Sequence, residues 1–123
     1  MEKRASTVSD YPRRGAVWAV DFRPGRGSEQ SGQRPALVIQ NDIGNEYGAT
    51  TIIAAITTTM KPFPFMVRVP ARPAGLDRES MVNLAQLLTI DKRRLHRRLG
   101  RINESIMTQV ETAIKVSLGI SIR

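Results

Sequence analysis

Apolar positions along the chain follow two rhythms, one suited to strands and one, near the end, suited to a helix. In Ala16-Val-Trp-Ala-Val-Asp-Phe22, Trp18, Val20 and Phe22 recur at every second residue, which predicts a half-buried strand. Trp18 is assigned to the core rather than to a base-stacking platform. Ala36 to Gln40 predicts a second strand, with Pro35 at its mouth, where the missing N–H does little harm. Thr50 to Thr57 is β-branched and mostly apolar, as a central, buried third strand would be. Phe65, Val67 and Val69 alternate as a fourth strand, and Ser80 to Leu88 reads as a fifth. Then the period changes: Ile106, Met107, Val110, Ala113, Ile114 and Leu118 recur at helical spacing. Asn103 caps this helix, Glu104 adds negative charge in its first turn, and Gly119 ends it. Five or more mostly antiparallel strands followed by one amphipathic helix predict a small α+β barrel.

The intervening segments read as loops. Residues 1–12 lack periodicity and are expected to form a flexible N-terminal arm, leaving 13–123 as one domain. Arg23 to Gln33 is long, charged and punctuated by glycines, a length that often marks a functional loop. Asp42 to Ala49 is expected to be a turn, as is Gly75 to Arg78, and Lys61 to Phe65 a rigid, proline-restricted connection. Asp91 can cap a short helical turn running to Leu95.

Charge narrows the partners. Nineteen Lys and Arg against eleven Asp and Glu give a net charge of +8 on 123 residues, a field that draws polyanions, whether nucleic acid or an acidic protein. Lys92 to Arg101 packs six of these cations, Lys92, Arg93, Arg94, Arg97, Arg98 and Arg101, around His96 and reads as a track for phosphates. No apolar run approaches the roughly 20 residues of a membrane span, and the first dozen residues show no secretory apolar core. No membrane partner is expected, and the expected location is cytoplasmic.

Several chemistries are excluded by residue type. Without cysteine there is neither a thiolate nucleophile nor a thiolate metal site, and a single histidine rules out a two-histidine acid–base pair. No phosphate-loop motif is present, and Glu29, Asp42 and Asp77 are not spaced as a metal cluster. Neither a metal nor another cofactor is expected. What remains is a reaction whose substrate carries its own nucleophile, as RNA does in its 2′-hydroxyl. Arg34, fixed by Pro35 at the mouth of a strand, is placed to clamp a phosphate. Glu29, in the same loop, is the nearest candidate for a base or for an orienter of Arg34. Arginine is a poor proton carrier at neutral pH, so electrostatic stabilisation is the role its chemistry favours. Gln86 is the odd polar member of its strand, able to hydrogen-bond a base or sugar or simply to face solvent.

Gly27-Ser28-Glu29-Gln30-Ser31-Gly32-Gln33-Arg34-Pro35-Ala36-Leu37-Val38, followed by Asn41-Asp42, resembles the signature loop of the MazF/PemK family of toxin endoribonucleases. The likeness extends to Thr57 at the end of the third strand, the Phe63-Pro-Phe65 turn and Thr89-Ile-Asp-Lys92. It implies an SH3-like, CcdB/MazF-type β-barrel with catalytic Arg34 and Thr57, which Glu29 joins on its chemistry alone, as candidate base or orienter. Ser28, Gln30, Thr58, Gln86, Lys92, Arg93, Arg94, Arg97 and Arg98 are the expected RNA contacts. It further implies a type II toxin that cuts single-stranded RNA at a short sequence without metal, leaving a 2′,3′-cyclic phosphate and a 5′-hydroxyl. The implied partners are the RNA, a second copy of the chain and the acidic tail of a MazE-like antitoxin.

The chain also departs from the family pattern. Where one branch has an Arg-x-Asp pair before the glutamine, this sequence has Asn83 and Ala85, and Leu88 stands where many members are basic. The base preference therefore does not carry over. Two other functions fit a basic barrel: nucleic-acid binding without cleavage, and poisoning of DNA gyrase in the manner of CcdB. The Arg34–Thr57 pair favours the nuclease.

Overall fold

The computed structural model describes residues 11–22 and 32–121. Residues 1–10 of the expected N-terminal arm and 23–31 of the glycine loop lie outside these residues. Six strands form one antiparallel sheet: β1 (Ala16–Asp21), β2 (Gln33–Val38), β3 (Thr50–Thr57), β4 (Met66–Val69), β5 (Ser80–Asp91) and β6 (Leu95–Arg101). Their spatial order is β4-β5-β3-β2-β1-β6. Two short helical segments, α1 (Asp42–Tyr47) and α2 (Ala71–Ala74), interrupt the run of strands, and α3 (Glu104–Leu118) follows it. Among the described residues no helix is long and apolar enough to cross a membrane.

Strand alternation divides the core in two. Val17, Leu37, Ala54, Ile56, Val82 and Leu84 point to one face, where Val110 and Ala113 of α3 complete the larger cluster. Val20, Ala36, Val38 and Ile53 point to the other and gather only the half-buried Trp18, Phe22, Ile90 and Leu95. As expected, Asn103 caps α3, its side-chain oxygen accepting from the Ile106 N–H at 2.8 Å.

The sheet is an open form of the expected barrel, because β4 and β6 are its edges and do not pair. The chain after β4 fills the seam instead. Gly75 has φ +78°, and a Cβ there would sit 1.9 Å from the Leu99 carbonyl oxygen. A Cβ on Gly100 would sit 2.2 Å from the Pro73 oxygen. Two glycines thus let the α2 segment lie directly on the backbone of β6.

Three expectations need correction. Residues 42–47 form α1 rather than a turn, because Asn45 is fully buried and bonded on every side. Its Oδ1 accepts from Thr51 Oγ1 at 2.6 Å and from Gln40 Nε2 at 3.0 Å, while its Nδ2 donates to the Gln40 carbonyl at 2.9 Å. Such a network overrides the local preference of a glycine-containing segment for a turn. Lys92–Arg94 form the expected short helical turn capped by Asp91, but the rest of the basic run is a strand, β6, whose period is hidden by two register shifts against β1. Finally, β5 runs on to Asp91 and carries a bulge: Ala54 pairs with Leu87 but Ala55 with Asn83. Leu84, Ala85 and Gln86 therefore have no β3 partner.

Candidate nucleic-acid interface and active site

Arg34 and Thr57 are set by the same alternation. Leu37 and Ile56 belong to the helix-covered cluster, so Arg34, at odd separation from Leu37, and Thr57, next to Ile56, project to the opposite face. The β2–β3 ladder pairs Val38 with Ile53, Leu37 with Ala54 and Ala36 with Ala55. Continuing that register by two residues brings Arg34 opposite Thr57. Side chains opposite one another on one face are near neighbours.

Arg34 is exposed and lies over the Phe22 ring, its Cζ 5.8 Å from the centroid, within cation–π range. A cavity of about 350 Å³ opens beside it, lined by Phe22, Arg34, Ala55 and residues 85–88 of β5. Gln86 enters this cavity because the bulge releases it from the ladder, a common device for re-aiming a side chain. Thr57 is not in the lining itself; it stands two residues beyond Ala55 on the same face. Its Oγ1 accepts from the Thr59 N–H at 3.1 Å, which leaves the hydroxyl proton to donate elsewhere. Thr58 follows the strand and is exposed. Ser28, Glu29 and Gln30 lie outside the described residues.

The six cations of the basic run do not make one track. Lys92 Nζ donates to the Asn45 carbonyl at 2.5 Å, holding the end of α1. Arg94 donates to the Asp21 carbonyl at 3.0 Å. Arg93 forms a two-pronged pair with Asp91, with Nε and Nη2 each 3.0 Å from a carboxylate oxygen. The side-chain hydrogen bond from Arg93, reinforced by its backbone N–H, lowers the Asp91 pKa to about 2. Arg97 and Arg98 are exposed, but their Cα partners on β1, Ala19 and Trp18, belong to opposite faces. Arg98 lies on the Arg34 side of the sheet and Arg97 on the other. The cations that read as contiguous along the sequence are thus divided between structural bonds and two surfaces.

Phe22, assigned from sequence only to a strand face, has the position beneath Arg34 and was missed as a site residue. Its signal was adjacency: an aromatic directly after β1 begins the stretch of sequence that leads to Arg34. Among the described residues no group of three or more His, Asp or Glu side chains gathers to hold a metal.

An open antiparallel sheet followed by a C-terminal helix is the fold type of the small MazF-like toxins. Comparison with known proteins agrees: residues 13–118 match the family described as PemK-like, MazF-like toxin of type II toxin–antitoxin systems. The chain belongs to that family. It is 42% identical over 111 residues to the endoribonuclease MazF of Staphylococcus epidermidis, covering 89% of this chain and 92% of that one. It is also 42% identical over 110 residues to the endoribonuclease EndoA of Bacillus subtilis, covering 88% and 95%. Among solved structures, a mycobacterial endoribonuclease in complex with its cognate antitoxin superposes with a TM-score of 0.77 at 26% identity, covering 91% of this chain and 99% of that one.

Proposed function

We propose that the chain is the toxin of a type II toxin–antitoxin pair and cuts single-stranded RNA at short sequences, using the RNA's own 2′-hydroxyl as nucleophile. Support comes from Arg34 and Gln86 lining one cavity, with Thr57 opposite Arg34 on the same face. Attack of the 2′-oxygen on the adjacent phosphorus forms a crowded dianionic phosphorane. Collapse breaks the bond from phosphorus to the 5′-oxygen, which takes a proton from water, leaving a 2′,3′-cyclic phosphate and a 5′-hydroxyl. Arg34 offsets charge on the equatorial oxygens, and the Thr57 hydroxyl donates to one of them. Glu29 takes the 2′-hydroxyl proton or orients Arg34. Gln86 hydrogen-bonds a neighbouring base or sugar, and Phe22 holds the guanidinium in place. No step calls for a metal. Ser28, Gln30, Thr58, Arg98 and the rest of the positive surface guide the strand.

The same cations suit the acidic tail of an antitoxin, which would compete with RNA for Arg34, and a second copy of the chain would extend the groove. The test is incubation with a long mixed-sequence RNA in EDTA. Discrete fragments with cyclic phosphate ends, absent for Arg34→Ala, support the reading. Intact RNA of retarded mobility overturns it in favour of a binder.

A further inference from the structure

A second cavity, of about 320 Å³, opens on the other side of the sheet, and no α3 residue lines it. Gln33 and Pro35 line it, so the same strand end serves both cavities, with Arg34 turned to one and its two neighbours to the other. Ala19, Leu76 and Leu99 supply further apolar surface. Asp77 and Arg97 bring opposite charges to its wall, both exposed. Elsewhere on this surface acids take an arginine: Asp91 with Arg93, Glu79 with Arg68, Glu111 with Arg14. Among the described residues, Asp77 and Arg97 form no such bond, with each other or with anything else.

An acid and an arginine that share a cavity without joining suit a ligand that brings both an anion and a hydrogen-bond donor. A ribonucleotide does: a phosphate for the guanidinium, N–H groups for the carboxylate and a flat apolar face for Ala19, Pro35 and Leu76. Guanine alone among the four bases offers two adjacent N–H donors on its pairing edge, matching both oxygens of a carboxylate. An acidic peptide would meet repulsion from Asp77. The volume falls at the small end of the range for ligand pockets.

We infer that this cavity is a subsite for one guanosine nucleotide flanking the cut, with Asp77 reading the base and Arg97 holding the phosphate. The inference rests on the RNA-cleaving reading above. It turns the far side of β2 into a determinant of sequence preference.

Fragment-end mapping on a complex RNA pool, with kinetics on a cleaved oligonucleotide, tests it for Asp77→Asn and Arg97→Gln. Asp77→Asn is expected to lose about tenfold of selectivity for guanosine at one flanking position, through KM rather than kcat. Arg97→Gln is expected to raise KM for all sequences and to lessen the slope of log KM against log salt by about 0.7. A second measurement needs no cleavage: titration of guanosine 5′-monophosphate into Arg34→Ala protein, followed by amide shifts at Ala19, Leu76 and Leu99. Unchanged maps and salt slopes with silent amides overturn the subsite while cleavage by the wild type leaves the nuclease intact. Moving amides with no cleavage by the wild type sink the nuclease and keep the pocket. Variants that weaken only antitoxin binding assign the cavity to the antitoxin and overturn the inference.

Discussion

The two faces of the sheet are built from the same strands and do different work. On one, α3 seals a cluster in which Val17, Leu37, Ala54, Val82, Leu84 and Val110 are wholly buried. On the other, four buried residues support half-buried aromatics, an exposed arginine and a cavity. Among the described residues the Trp18 Nε1–H on that second face is buried and meets no acceptor, where a buried donor left unpaired typically costs about 1–3 kcal/mol. The contrast teaches where stability is held: a strand can give every second residue to chemistry because the residues between are locked under a helix. Leu37 and Arg34, three positions apart on β2, mark the two roles.

Substitutions at these positions separate the faces. Leu37→Ala should lower stability by about 2–5 kcal/mol in denaturant titration, while leaving the cleavage rate of the folded fraction near that of the wild type. Arg34→Ala should do the reverse: a loss of about 100- to 1,000-fold in rate, with stability within about 0.5 kcal/mol of the parent. Comparable losses of stability in both variants would erase the distinction. Asn103→Ala, which removes the cap of the sealing helix, should cost about 0.5–2 kcal/mol, read in the same titration.

The smallest effect concerns the Asp91–Arg93 pair at the end of β5. Because the folded carboxyl titrates at about 2, below its ordinary value of 3.8, the pair's contribution is complete above that ordinary value and is lost as pH falls through about 2. Arg93→Gln should return the Asp91 midpoint toward 3.8 in a carboxyl NMR titration. An unmoved midpoint would place the cause elsewhere.

Much of this was legible from spacing alone. Thr50–Thr57 and the final helix were readable because one is a continuous β-branched run and the other a capped stripe of period 3.6. The proposed catalytic pair was readable only in part. Pro35 and the resemblance pointed to Arg34 and Thr57, but their common face is a matter of register, which emerges when β2 meets β3. The bulge that frees Gln86 leaves no local mark, since Leu84, Ala85 and Gln86 would suit an unbroken strand equally well. Helix α1 was hidden for another reason: Asn45 looks like a turn residue until Thr51, Gln40 and Lys92 close around it. The basic run misled because adjacency in sequence says nothing about which cations are already bonded to backbone carbonyls.

The released stretch of β5 carries one further implication. Ala85 and Gln86 are exposed and contribute no rungs to the β3 ladder, so exchanging them disturbs neither sheet nor core. Under the proposed reading, exchanging these two residues would change which RNA sequence is cut while leaving the scaffold untouched.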